Sequence, residues 1–373
     1  VVYAVQAVAT ALAIVLLGHA VSRRLSPAAG VAAAAVLAVN VYQVLFSAIL
    51  ASENLCFWGV CLLAWLLLAR DAPLPRSRWL AAALVVGLLA LVRSAMLGLA
   101  PGVAALAAFA PVAAPRPSPR ARWLTAVLVL GVAVAPSVIY GAVRAERVGA
   151  FRIGSPWDAY NLWLGNNPHA TGRIDPMPEV PDLGRTTRER YAVARELSSD
   201  ALAYALRHPL DELRLAAARA SYLFAPPKRD LIYIYGWGWA GERPPWVVWG
   251  TYLLSAATWS VLLVLAIVGW ARTGWRPTVV VAVVLVAAGL APYLVAIGDA
   301  RFLMPLYPLV AVVAAAAVLP TGRPPAARTA VAAVLLALVL GNAAVDLAAS
   351  HSAVAEIARP GGSGLRPPYH FAR

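Results

Sequence analysis

The sequence predicts an all-α polytopic integral membrane protein, with about ten transmembrane helices and one large extracytoplasmic loop. Three observations carry that reading. Of 373 residues, 61% are hydrophobic and only 13% charged, whereas a soluble domain, whose surface must be hydrated, carries about 25% charged residues. Mean hydropathy is +0.73. The apolar residues also come in long blocks, and Trp123 to Val143, Trp246 to Ala271 and Val279 to Gly298 hold no charge at all. A bilayer core about 30 Å thick needs roughly 20 such residues per helix. A soluble globular domain is excluded.

Reading apolar blocks against arginine clusters places spans at 1–22, 28–48, 52–69, 79–93, 95–112, 123–143, 247–271, 277–297, 302–320 and 328–348. The fourth and fifth are short and meet near Arg93, as a hairpin that need not cross fully. Four regions follow: N-terminal helices over 1–145, a polar loop over 146–245, C-terminal helices over 246–348 and a tail over 349–373. One set of short loops carries Arg23 and Arg24, then Arg70, Arg76 and Arg78, then Arg116, Arg120 and Arg122, then Arg272 and Arg276, then Arg323 and Arg328. The alternating set holds little charge beyond Glu53, Arg93, Asp299 and Arg301. Basic loops stay cytoplasmic, so the polar loop, Val1 and the tail are expected outside the cytoplasmic membrane.

The formal charge of +14 therefore needs no nucleic-acid partner, because many arginines sit in these loops. Lys228 is the only lysine, a usage that suggests a GC-rich, bacterial genome. Cys56 and Cys61 lie five residues apart in one apolar block, on different helix faces, and suit neither a disulfide nor a metal. No His, Cys and carboxylate set has metal-ligand spacing. There is no P-loop, Gly-rich dinucleotide fingerprint or nucleophile elbow. The chain begins Val-Val without Met or a charged n-region, and reads as a piece whose N-terminus has been removed.

The polar loop opens with turn formers: Gly154-Ser155-Pro156, Gly165-Asn166-Asn167-Pro168, Asp175-Pro176 and Pro178. Thr186 to Arg207 has helical spacing, and Pro209 starts a further helix with Asp211 and Glu212 in its first turn, where acids suit the helix dipole. An amphipathic pair lying on the membrane surface is the plain reading. The aromatic stretch Tyr233 to Trp249 fits an interfacial belt or a sugar-stacking platform.

Charges at outward ends of spans are the site candidates, because they are costly there. Glu53 is either a helix-start carboxylate behind Ser52 or the wall of an outward cavity. Arg93 is either a snorkelling side chain or a phosphate ligand. Asp299 and Arg301 either pair with each other or join the same cavity. Arginine presents a planar fork to phosphate oxygens.

The run Trp157-Asp158-Ala159-Tyr160-Asn161-Leu162-Trp163-Leu164-Gly165-Asn166-Asn167-Pro168-His169-Ala170-Thr171-Gly172 resembles a stretch of bacterial membrane glycosyltransferases. These belong to the dolichyl-phosphate-mannose protein mannosyltransferase-like family, which includes the aminoarabinose transferase of lipid A. Further parts are similar in order: Gln6, Ser52-Glu53, Leu88 to Arg93 with Ser94 where Pro is common, His208-Pro209 with Arg219 in place of Lys, and Arg301 to Pro308 with Phe302 in place of Tyr. The resemblance covers about residues 1–320. It implies a C-type glycosyltransferase fold and a polyprenyl-phosphate sugar donor. It also implies sugar transfer outside the membrane, with inversion, to a lipid, protein or glycan acceptor. Membrane lipid is the other expected partner.

No catalytic residue is assigned. The family's base is an Asp after its first span, which is expected upstream of Val1, and Asp158 and Asp299 are poor substitutes on position. The fragment itself is accordingly expected to be inactive. Substrate binding is expected at Glu53, Arg93, Tyr160, Asn161, Asn166, Asn167, Arg219 and Arg301. No cofactor is assigned, and a divalent metal stays open because relatives differ in using one. Cations would stabilise the departing lipid phosphate, and amides and aromatics would hold sugar hydroxyls. The Asn-Asn-Pro turn has a second reading, since Asn side chains bond their own backbone in turns. A transporter or flippase, or a non-catalytic glycan-assembly subunit, are the alternative functions.

Overall fold

The computed structural model describes residues 1–49, 51–68, 74–109, 118–149, 151–173, 181–228, 231, 234–235 and 243–358. Regular structure among them is helical throughout. The N-terminal half comprises α1 (Val2–Arg24), α2 (Pro27–Ala38), α3 (Val41–Ser47), α4 (Ser52–Leu68), α5 (Arg76–Val92), α6 (Leu99–Phe109) and α7 (Pro119–Val148). Three helices form the polar part: α8 (Pro156–Gly165), α9 (Thr187–Arg207) and α10 (Pro209–Leu223). The C-terminal half comprises α11 (Pro245–Thr273), α12 (Pro277–Val295), α13 (Tyr307–Ala315) and α14 (Ala326–Ile357). Short 3₁₀ turns at Ser94–Gly98, Ala300–Phe302, Met304–Leu306 and Ala316–Val318 complete the path.

Six stretches among the described residues are helical, long and apolar enough to cross a membrane: α1, α7, α11, α12, Ala300–Val318 and α14. The pair α2 and α3 makes a seventh if counted as one span, but it bends by 63°. The protein is therefore a membrane-embedded helical bundle. About ten spans are expected, the fourth and fifth as a hairpin that need not cross fully, and the remaining blocks hold described helices that are shorter. The block at 52–69 forms a helix of 17 residues, about 25 Å at 1.5 Å per residue. The blocks at 79–93 and 95–112 form α5 and the stretch Ser94–Phe109, broken at Arg93. The last helix, conversely, continues to Ile357 rather than stopping at 348, so it takes up nine residues expected in the tail. Residues 359–373 of that tail and most of the aromatic stretch before Trp246 lie outside the described residues.

The centre of the bundle is Ala300–Val318, of which 89% is buried, against 11–39% for the other five spans. Its helix α13 reads Tyr-Pro-Leu-Val-Ala-Val-Val-Ala-Ala and is apolar on every face, as a helix surrounded by protein must be. Around it stand α2, α4, α11 and α12. The outer helices turn apolar side chains away from the protein: Val5, Val8, Leu12 and Val15 on α1, and Val127 and Ile139 on α7, are exposed. Patches of that extent are excluded from water-facing surfaces and suit lipid.

Small residues set the close approaches. A Cβ on Gly98 would meet the carbonyl oxygen of Ala288 at 2.8 Å, and one on Gly102 would meet the Ala288 Cβ at 2.7 Å. This small-xxx-small pair lets α6 press against α12 where no hydrophobic effect drives helices together. Gly102→Leu is expected to cost about 1–3 kcal/mol through overpacking, read as a lowered thermal midpoint in nanodiscs.

Two of the polar helices, α8 and α9, begin with reciprocal caps. At α9 the Thr186 hydroxyl accepts from the Glu189 N–H at 3.2 Å, while the Glu189 carboxylate accepts from the N–H groups of Thr186 and Arg185 at 3.0 and 2.8 Å. Those backbone bonds hold the Glu189 carboxyl below its usual 4.5. A lowered folded value favours the ionised form. The cap's contribution is thus complete above the unfolded value and lost as pH falls through the folded one. Hydrogen exchange in the first turn of α9 should quicken, beyond its intrinsic pH dependence, as pH falls from 5 towards 3. Glu189→Gln should abolish that extra change.

Candidate functional site

Five separate segments meet at one end of the bundle around a cavity of about 560 Å³. Glu53 opens α4, Arg93 ends α5, Arg144 lies near the end of α7, and Arg301 sits in the turn before α13. Asp158 and Asn161 reach it from α8. The cavity thus holds three guanidiniums against two carboxylates.

Local chain chemistry explains each placement. Arg93 leaves the helix with extended backbone, at φ −148° and ψ 109°, so α5 stops there and the chain turns into the 3₁₀ segment. Its Nη1 donates to Glu53 Oε1 at 2.7 Å, and Ser52 Oγ donates to Glu53 Oε2 at 3.2 Å. The pair is nearly enclosed, with side chains 16% and 8% exposed. The guanidinium lies over the rings of Phe302 at 4.6 Å and Tyr293 at 5.6 Å, and those rings stack at 4.8 Å. The Arg301 guanidinium lies over Phe302 at 4.9 Å, and its backbone N–H donates to Asp299 Oδ1 at 3.0 Å. The aromatic faces supply cation–π attraction where water is scarce.

Arg144 closes the roof. Its Nη2 donates to the carbonyls of Arg152 and Gly154 at 2.7 and 2.8 Å, and its guanidinium lies 4.7 Å from the Tyr191 ring. Asp158 Oδ2 accepts from the Ser155 N–H at 2.5 Å and caps α8. Gly154 adopts φ 89°, and a Cβ there would come within 2.5 Å of that carboxylate. Burial raises the hydroxyl of Tyr191 above its ordinary range.

Glu53, Arg93, Asn161 and Arg301 therefore line one cavity, and Tyr160, Asn166, Asn167 and Arg219 do not. Tyr160 stacks on Trp163 at 6.3 Å and meets Trp157 edge-on, and burial raises its hydroxyl. Asn166 Nδ2 donates to the carbonyls of Leu162 and Val295 at 2.6 and 2.9 Å, and Asn167 Nδ2 to those of Trp163 and Leu164 at 2.8 and 3.2 Å. Both amides are engaged with backbone and shape the loop.

Arg219 is fully buried and acts as a joint. Its guanidinium donates to Glu212 Oε2 at 3.1 Å, the Leu294 carbonyl at 2.8 Å, the Gly165 carbonyl at 2.5 Å and Asn166 Oδ1 at 3.2 Å. α8, α10 and the end of α12 are thereby tied together. Sequence reading missed Arg144, Tyr140 and Ser137 as cavity residues. Arg144 is the first charge after the uncharged run Trp123 to Val143, which is the available signal.

Among the described residues no group of three or more His, Cys, Asp or Glu stands close enough to hold a metal ion. The fold and site define a polytopic membrane protein with a cationic, partly enclosed chamber at one end of its bundle. No protein-family model, curated protein or solved structure matches the chain.

Arg219→Ala leaves one carboxylate and three other acceptors without their donor, and breaking a buried ion pair costs about 3–5 kcal/mol. Its thermal midpoint should fall steeply. Arg219→Lys should recover only part of the loss, because one ammonium cannot span partners on three helices.

Proposed function

We propose that this protein is a glycosyltransferase that takes a sugar from a polyprenyl-phosphate donor and passes it to a lipid, protein or glycan acceptor at the outer face of the cytoplasmic membrane. The supporting observation is the convergence of Glu53, Arg93, Asn161 and Arg301, from four segments far apart in sequence, on one cavity. Arg93, Arg301 and Arg144 suit a phosphate that gains charge as it departs, because oriented cations in a water-poor site stabilise developing anions strongly. In the reaction the sugar C1–O bond to phosphate breaks and a bond from C1 to the acceptor oxygen forms, with inversion. The acceptor's proton passes to a base, and polyprenyl phosphate leaves as the anion. Glu53 supports Arg93 through their ion pair, and Asn161 is placed to meet a sugar hydroxyl. The C-type fold is part of this reading, as is the outward sidedness drawn from the arginine-poor turns.

The test is turnover of the full-length protein in nanodiscs with lipid-phosphate-linked hexoses and pentoses. Arg93→Ala combined with Arg301→Ala should lower kcat/KM about 100-fold or more, the scale seen when one preorganised donor to a developing anion is lost. Unchanged turnover would remove the proposed phosphate site. Substrate flux through proteoliposomes without chemistry would replace the enzyme with a transporter. A label at Asn161→Cys reached only from the cytosol would overturn the sidedness.

A further inference from the structure

Helix α10 has one buried face and a second, apolar stripe that protein covers only in part, towards Phe224. Leu215, Arg219 and Leu223 are buried. Leu210, Leu213, Ala217, Ala220 and Phe224 recur at alternating spacings of three and four and form a second stripe. Leu210 and Leu213 are 80% and 70% exposed, and on the neighbouring α9 Leu202 and Leu206 are 59% and 74% exposed. All four lie within twelve residues of chain around the junction of α9 and α10.

The stripe does not end in water. Ala217, Ala220 and Phe224 wall a groove of about 680 Å³ whose other walls are the spans α11 to α14, through residues such as Leu263, Val286 and Leu338. The depth of that groove is fixed on α14. Residues 329–345 carry no charge and are bracketed by Arg328 and Asp346. Asp346 Oδ1 accepts from Lys228 Nζ at 2.6 Å, a pair expected at the bilayer boundary, where charge is least costly. Ser221 Oγ donates to Asn342 Oδ1 at 2.6 Å, and Asn342 Nδ2 donates to the Ser221 carbonyl at 2.9 Å. The end of α10 is therefore docked one helical turn inside Asp346, about 6 Å into the apolar zone at 1.5 Å per residue.

We propose that α10 is embedded in the leaflet on the cavity side, and that its second stripe, with the groove it walls, binds hydrocarbon chains of bilayer phospholipid. Continuity carries the proposal: one stripe runs from a groove between spans, through Ala217, to Leu213 and Leu210. Exposed Arg207 and Arg214 flank the leucines, where they reach headgroup phosphates while their stems lie along apolar surface. A helix with an apolar stripe, basic flanks and modest overall hydrophobicity favours that interfacial position.

The experiment uses the full chain in phospholipid nanodiscs, with an environment-sensitive fluorophore on Leu210→Cys, Leu213→Cys or Ala217→Cys. Glu196→Cys, exposed on α9, is the comparison, and the buried native Cys56 and Cys61 provide the unlabelled background. Lipids brominated on their acyl chains should quench the three α10 positions at least twofold. Iodide should quench them at least fivefold less than position 196. Iodide quenching equal to that at 196 would overturn the proposal by placing the stripe in water. Protection from both quenchers would overturn it as well, by showing that another protein segment covers the stripe.

Discussion

Arg219 is the point through which the polar helices and the bundle communicate. A guanidinium without exposed surface needs most of its donors satisfied, and here α8, α10 and α12 each contribute an acceptor to its two terminal nitrogens, while Nε stays without one. A lysine offers a point charge with three donors, whereas the planar fork of arginine serves several carbonyls in fixed directions. Gly298 sits against the backbone of Arg219, where a Cβ would clash, and its N–H donates to the Gly172 carbonyl at 2.8 Å. Residues 166–172, which follow α8, are thus pinned beside this joint. Because α8 carries Asp158 and Asn161, the position of the cavity roof depends on a residue that never touches the cavity.

The chamber's electrostatics follow from the same economy. A buried carboxylate beside a buried guanidinium gains Coulomb energy but loses hydration, and the balance is close to neutral for stability. What the pair fixes is position. Glu53 is held at the start of α4, where the helix dipole favours an anion, and it draws Arg93 out of α5 across the stacked rings of Phe302 and Tyr293. The guanidinium is immobilised before any ligand arrives. Arg144 is anchored in another way, to carbonyls of the turn at 152–154, and Arg152 Nη2 donates to Ser198 Oγ at 2.8 Å, linking that turn to α9.

Uncharged runs made most spans legible, since a bilayer tolerates few charges and each interruption by arginine marks an end. Helix breaks inside apolar sequence left no such mark. The block 28–48 reads as one span, yet Asn40 accepts from the Gln43 N–H at 3.0 Å, starts a fresh helix and bends the path by 63°. Nothing in its hydropathy signals that cap, because Asn serves equally in turns and in polar contacts. The same ambiguity covered Asn166 and Asn167, whose amides satisfy carbonyls at a chain reversal. Residue type alone could not separate a carbonyl partner from a sugar hydroxyl. Glu53, Arg93 and Arg301 stood out because each is a charge at the end of an apolar block, whereas Arg219 sits among other charges in the polar loop, where nothing in sequence marks it as buried.

The floor and roof of the cavity are held by different means. Arg301 and Phe302 lie in tight turns leading into the most enclosed helix of the bundle, and Pro305 and Pro308 lack the N–H groups that would continue a regular helix through that segment. Any displacement of Arg301 must move α13 against α2, α4, α11 and α12, which close-packed interiors resist. The roof instead rests on hydrogen bonds at Arg144 and Arg219 and on helices with one face open. Rearrangement to admit a bulky ligand is therefore least costly on the α8 side, with Arg93 and Arg301 left as the stationary reference.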